Sequence, residues 1–157
     1  MNITCCFTGH RFIERAKIPK IQKILDDEII HLINHGATEF ISGGALGFDM
    51  IAAESILKLR RDFPQIRLIM VLPCENQDKY WRVHDRTRYK IILDSADENI
   101  YLREEYYDGC MLDRNRYMIE NSNVCISYLT QKRGGTLFTV NYAKKKKIEI
   151  INIADFL

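Results

Sequence analysis

Several things are missing from this 157-residue sequence, and each absence narrows what the chain can be. No apolar run approaches the roughly 20 residues that a membrane-spanning helix needs, so a membrane protein is not expected. Met1 to Gly9 reads as a strand and a turn, not as a charged-then-apolar leader, and the expected location is the cytoplasm. The cysteines are Cys5, Cys6, Cys74, Cys110 and Cys125, an odd number without a Cys-x-x-Cys pair or zinc spacing. That argues against a disulfide scaffold or a metal site. It favours reduced thiols buried as small hydrophobes in a reducing compartment. A strong charge of one sign is also lacking. Lys and Arg total 23 against 21 for Asp and Glu, a net charge of +2, too small by itself to argue for a nucleic-acid partner. Finally, there is no Gly-x-Ser-x-Gly elbow, His-Glu-x-x-His helix, Walker loop or Gly-x-Gly-x-x-Gly fingerprint, and no catalytic residue can be named.

What remains is an ordinary globular composition, 46% apolar and 28% charged, of a length that fits one domain over residues 1–157. Short apolar runs alternate with segments in which apolar residues recur at helical spacing. Strands are expected at Ile3–Thr8, Thr38–Ser42, Arg67–Leu72, Asn99–Leu102, Asn123–Leu129 and Ile148–Ile153. Helices are expected from Ile18 to Gly36 and over Ala45–Arg60, Asp78–Leu93, Met111–Asn121 and Thr136–Lys146. Such alternation specifies an α/β fold with a mostly parallel sheet covered on both faces. The run Lys144 to Lys147 suits a solvated helix C-terminus, where cations complement the dipole.

In an open parallel sheet, ligands bind beyond the carboxyl ends of the strands. The loops predicted there hold the unusual residues. After the first strand come Gly9, His10 and Arg11, and the guanidinium suits a phosphate or carboxylate. After the second come Ser42, Gly43, Gly44, Ala45, Gly47 and Asp49. Here a strand passes into a helix, glycines would let a ligand approach the backbone, and free N–H groups favour an anion. Asp49 could accept from a ribose hydroxyl or simply complement the helix dipole. Arg114 and Asn115 lie on the helix after the fourth strand. Gly134, Gly135 and Thr136 form a second glycine turn opening a helix. Trp81 and Tyr106 could stack on a base or anchor an interface. Glu54 is as well read as a surface residue as a base.

Taken together, these stretches resemble the SLOG superfamily and within it the YpsA-like group. The resemblance is carried by Thr8–Arg11, by Ser42 to Glu54 (SGGALGFDMIAAE), by Pro73 with Gln77 and Trp81, by Arg114, Asn115 and Met118, and by Gly134–Thr136 with Tyr142 and Ala143. It implies a Rossmann-like three-layer sandwich of about six strands and a small nucleotide-derived ligand, such as NAD or ADP-ribose, that is bound or sensed in a regulatory role. No cofactor beyond that ligand is implied, and a homo-oligomer is compatible with it. Two related groups supply alternatives. DNA-processing protein A has a similar glycine turn and Arg-Asn helix, which makes single-stranded DNA a competing but less favoured ligand. The LOG enzymes release a base from a nucleotide and carry Pro-Gly-Gly-x-Gly-Thr followed by glutamate. Here Arg133 replaces the proline and Leu137–Val140 contains no glutamate, a departure that weighs against such a hydrolase.

Overall fold

Strands form where this chain runs apolar, and helices where its apolar residues return every three to four positions. The computed structural model describes residues 2–157. Its elements, in order, are β1 (Ile3–Gly9), α1 (Ile18–Asn34), β2 (Ala37–Ser42), α2 (Phe48–Leu59), β3 (Arg67–Leu72), α3 (Val83–Ser95), β4 (Glu98–Tyr101), α4 (Cys110–Glu120), β5 (Val124–Tyr128), α5 (Gly135–Lys145) and β6 (Glu149–Asn152). The six strands form one sheet in the order β4-β3-β2-β1-β5-β6. Every neighbouring pair is parallel. This is the expected α/β, Rossmann-like sandwich.

The side-chain alternation of the strands builds two cores. Cys5, Phe7, Phe40, Leu68, Met70, Leu72, Val124 and Ile126 face one side and meet Ile21, Leu25 and Ile29 of α1, Ile51 and Ile56 of α2, and Tyr89 and Ile92 of α3. Cys6, Ile41, Ile69, Val71 and Cys125 face the other and meet Met118 and Ile119 of α4 and Ala143 of α5. All five cysteines are free and buried. Cys6 and Cys125 stand opposite each other on β1 and β5. The edge strands β4 and β6 have four residues each, β4 largely exposed and β6 partly covered. Short edges limit pairing with other chains. Among the described residues no helix is long and apolar enough to cross a membrane.

Two helix starts differ from expectation. Helix α2 begins at Phe48 rather than Ala45, because Gly44 and Gly47 sit at φ +69° and +83°, outside helical space. Helix α3 begins at Val83 rather than Asp78. The polar stretch before it forms turns, with Lys79 donating its N–H to the Asn76 carbonyl and Trp81 to that of Asp78. The remaining boundaries shift by one or two residues.

Phe48 shows how α2 is anchored. Its ring is fully buried. It packs edge-on to Phe7, with centroids 6.5 Å apart, and stacks on Tyr128 at 6.0 Å. Gly9 is bare because a Cβ there would stand 2.4 Å from the Phe48 ring. Phe48→Ala is expected to lower the unfolding free energy by about 3–5 kcal/mol in urea titrations, the range for an aromatic cavity that cannot collapse. A loss under about 1 kcal/mol would show that the surroundings close over the space.

Candidate functional site

Strand order reverses between β1 and β5: from β1 the chain builds outward through β2, β3 and β4, then returns to β5 on the opposite flank. In parallel sheets such a reversal opens a crevice between diverging loops. Here it is a cavity of about 310 Å³. The loop after β1 supplies Thr8, Gly9, His10 and Arg11. The start of α2 supplies Ala45 and Asp49, α4 supplies Met111, Leu112, Arg114 and Asn115, and α5 supplies Gly135 and Thr136. Residues from four separated stretches of sequence thus converge.

The two glycine turns are physically different. Ser42, Gly43, Gly44 and Ala45 are buried. The Ser42 hydroxyl donates to the Asp49 carbonyl at 2.8 Å and accepts the Gly44 N–H at 3.2 Å. The Phe48 N–H, the first of α2, donates to the His10 carbonyl at 3.1 Å. A Cβ on Gly47 would lie 2.2 Å from the Arg11 carbonyl oxygen, and one on Gly43 2.6 Å from Arg114 Nη1. The glycines of this turn therefore admit other parts of the protein. The turn at Gly134 and Gly135 is exposed, and a Cβ on either would meet nothing within 4 Å. Gly134 caps α5 at φ +91°, and no side chain bonds the first N–H groups of that helix. The positive end of α5 is open, beside the buried Thr136.

Arg114, expected at the site from the sequence, is held in an unexpected way. It is 2% exposed, although charged side chains are almost never fully buried without partners. It donates to the Gly43 carbonyl at 2.6 Å, to Gln77 Oε1 at 3.3 Å and, through Nε, to Asn115 Oδ1 at 2.8 Å. Gln77, itself buried, also donates to the Gly43 carbonyl and the Tyr89 hydroxyl, at 3.3 and 3.1 Å. Burial lowers the pKa of Arg114, while the charge of Asp49 works against that shift. Asp49 is 6% exposed. Burial pushes its carboxyl up to about 6, against the opposing pull of Arg114, the Ala45 N–H and Arg11.

His10 is half-buried, and burial lowers its pKa. Its Nε2 accepts the Thr130 N–H at 2.9 Å, which requires the neutral ring with its proton on Nδ1 and ties the loop after β1 to the loop after β5. Arg11 is exposed at the cavity rim.

Other residues singled out in the sequence lie elsewhere. Trp81 packs edge-on to Tyr89, with ring centroids 5.0 Å apart, against the larger core. Tyr106 is exposed and lines a neighbouring cavity. Glu54 forms an ion pair with Arg88 that joins α2 to α3. Met111 and Leu112 line the cavity without having been named as candidates, and Thr8, singled out only as part of the resembling stretch, lines it too. Helical spacing carried the signal for Met111, four positions before Asn115 and hence on the same face.

Comparison with known proteins gives the family and confirms the fold. Residues 5–155 match the YspA SLOG family, YpsA. The chain belongs to that family. An uncharacterized SPbeta prophage-derived protein of Bacillus subtilis, YoqJ, is 33% identical over 138 residues, covering 77% of this chain and 81% of its own length. The UPF0398 protein BH1768 of Halalkalibacterium halodurans is 30% identical over 133 residues, covering 83% of this chain and 70% of its own. Among solved structures, DNA processing protein A of Helicobacter pylori, whose structure concerns a single-stranded DNA binding mode, superposes with a TM-score of 0.67 at 24% identity over 94% of this chain. The Streptococcus pneumoniae protein gives 0.66 at 19%, also over 94%. Those alignments span 63% and 49% of the two DNA-processing chains, and at these identities the likeness is one of fold.

The contrast between the glycine turns is testable without any ligand. Gly47→Ala meets both a positive φ and a backbone oxygen, so the unliganded protein should lose at least about 2 kcal/mol in chemical denaturation. Gly135→Ala should stay within about 0.5 kcal/mol of the parent or gain slightly, since alanine favours a helix. Equal effects would show that the first turn relaxes freely.

The raised pKa of Asp49 gives a second expectation. A carboxyl that titrates higher in the folded state contributes stability below its unfolded pKa near 3.8, and that contribution is lost as pH rises through about 6. Measured against Asp49→Asn at each pH, the parent should lose roughly 3 kcal/mol across that window. A difference that does not vary with pH would show that the carboxyl is effectively solvated.

Proposed function

We propose that the cavity at the β1/β5 reversal binds the phosphate of a nucleotide or nucleotide-derived molecule, such as NAD or ADP-ribose. The chain then serves as a binding or sensing unit in a regulatory role. One observation carries the reading: the uncapped N-terminus of α5 opens on a glycine turn with free space around it, beside a cavity rimmed by Arg11. Unpaired N–H groups and a helix dipole attract an anion, and a guanidinium adds charge-assisted bonds. In this reading Gly134, Gly135 and Thr136 receive the phosphate from one side and Arg11 from the other. Gly9, His10, Ser42, Gly43, Gly44, Ala45 and Gly47 hold the opposite wall in place. Asn115 and Asp49 are left for a sugar hydroxyl, and Arg114 sets the position of both.

Hydrolysis of such a ligand is a second reading, favoured by Asp49. A carboxyl at the cavity wall that burial pushes up to about 6 suits general acid–base work. Single-stranded DNA enters through the Helicobacter pylori protein. A net charge of +2 offers such a polyanion little long-range attraction.

The test is a thermal-shift panel of nucleotides, NAD, ADP-ribose and an oligothymidylate at physiological salt, with hits followed by calorimetry and product analysis. A ligand at 100 times its Kd should add about 2.7 kcal/mol of stability. Arg11→Ala should weaken binding by about 1.5–3 kcal/mol while leaving the unliganded melting temperature unchanged. If no phosphate ligand stabilises the protein, or if Arg11→Ala binds as the parent does, the phosphate assignment fails.

A further inference from the structure

A second cavity, of about 490 Å³, lies next to the first. Its walls come from the loop after β3, with Asn76, Gln77, Lys79 and Tyr80, and from the stretch before α4, with Glu105 and Tyr106. The Glu75 N–H donates to the Glu104 carbonyl at 3.3 Å, fastening the two loops to each other. Met111 lines both cavities, so its side chain is the saddle between them. Its sulfur is 3.7 Å from Arg114 Nη2, the guanidinium that reaches the first cavity. Gln77 is shared in another sense: it lines the second cavity and bonds the glycine turn behind the first.

Two tyrosines face this space with little covering them. Tyr80 is 88% exposed and Tyr106 57%. A tyrosine usually buries most of its ring, and two left open on one cavity offer flat π-faces to a flat partner. Lys79 lies 5.4 Å from the centroid of the Tyr80 ring. Asn76 offers both donors and an acceptor, and Glu105 offers an acceptor. Stacking faces with hydrogen-bonding groups at their rim match an aromatic heterocycle that carries polar edges. An aliphatic chain would leave the polar rim unused.

We infer that the cavity lined by Tyr80 and Tyr106 is a subsite for the base of a nucleotide whose phosphate sits at the Gly134–Thr136 turn. The ligand crosses Met111 to reach it. The proposal rests on the phosphate reading given above and adds the class of group at the far end. The base stacks on the exposed tyrosine rings and meets Asn76 and Glu105 at its edge. Each cavity has a volume within the range of about 300–1,000 Å³ typical of ligand pockets, so the pair suits an extended molecule of the ADP-ribose kind better than a compact one.

Calorimetric titration with two probes, inorganic pyrophosphate and ADP-ribose, tests this on the full chain. Both tyrosines are exposed, so Tyr80→Ala and Tyr106→Ala should melt as the parent does. Each should weaken ADP-ribose by about tenfold, the effect of losing one stacking face, and leave pyrophosphate unchanged. Trp81, the only tryptophan, follows Tyr80 directly and gives a second readout. ADP-ribose should change its fluorescence and pyrophosphate should not. If ADP-ribose and pyrophosphate both bind but neither tyrosine variant affects ADP-ribose, the base subsite is refuted and the phosphate site stands. If neither probe binds, the phosphate reading itself falls and the base subsite with it.

Discussion

The hydrogen bond from buried Arg114 to the Gly43 carbonyl holds the candidate site together. At 2.6 Å it ties α4, on one face of the sheet, to the turn that starts α2 on the other. The turn can approach only because residue 43 has no side chain, since a Cβ would stand 2.6 Å from the guanidinium. Gln77 and Asn115 take further donors of the same group, and Asp49 offsets its charge. Removing one partner of such a buried set costs about 3–5 kcal/mol, because the remainder is left uncompensated. The arrangement therefore fixes where the cavity walls stand before any ligand arrives, which spares a ligand the ordering of those walls.

The wall opposite α5 is equally determined from within. The His10 carbonyl caps the first N–H of α2, and the His10 ring accepts from the loop after β5. One residue thereby links the two strands that flank the reversal. The contrast with the Gly134 turn follows: one side of the cavity is rigid and internally satisfied, the other has an unbonded helix start. Under the proposed reading, the satisfied wall would position a ligand and the unbonded helix start would receive its phosphate.

The sheet was legible in the sequence because parallel strands are covered on both faces and read as uninterrupted apolar runs. All six appeared within one or two residues of their final bounds. The convergence of Thr8–Arg11, Asp49, Arg114, Asn115 and Thr136 followed from topology, since every loop after a parallel strand emerges at the same edge. What each glycine does was less legible. Ser42–Gly47 and Gly134–Thr136 look alike as strings, yet one is packed with its own protein and the other is open. Only the partners, Arg114 and the Arg11 carbonyl for the first turn and empty space for the second, tell them apart. The start of α3 was misplaced for a related reason. Polar residues 76–81 fit a helix surface and a turn equally well, and the turn prevails where Gln77 reaches inward to Gly43. Met111 and Leu112 carried no polar signature that would have marked them.

The five buried thiols have a consequence for the lifetime of the fold. While the sheet is closed, neither oxidants nor thiol reagents reach sulfur, since each cysteine is at most 1% exposed. Once it opens, the three on β1 and β5 are released together, with Cys5 and Cys6 adjacent in the chain and Cys125 freed from its place opposite Cys6. Any pairing among them in that interval joins stretches that must separate again before the parallel register can re-form. In a reducing medium the opening is harmless and reversible. In an oxidising one each excursion risks becoming permanent, so the survival time there is set by how often the sheet opens rather than by its equilibrium stability.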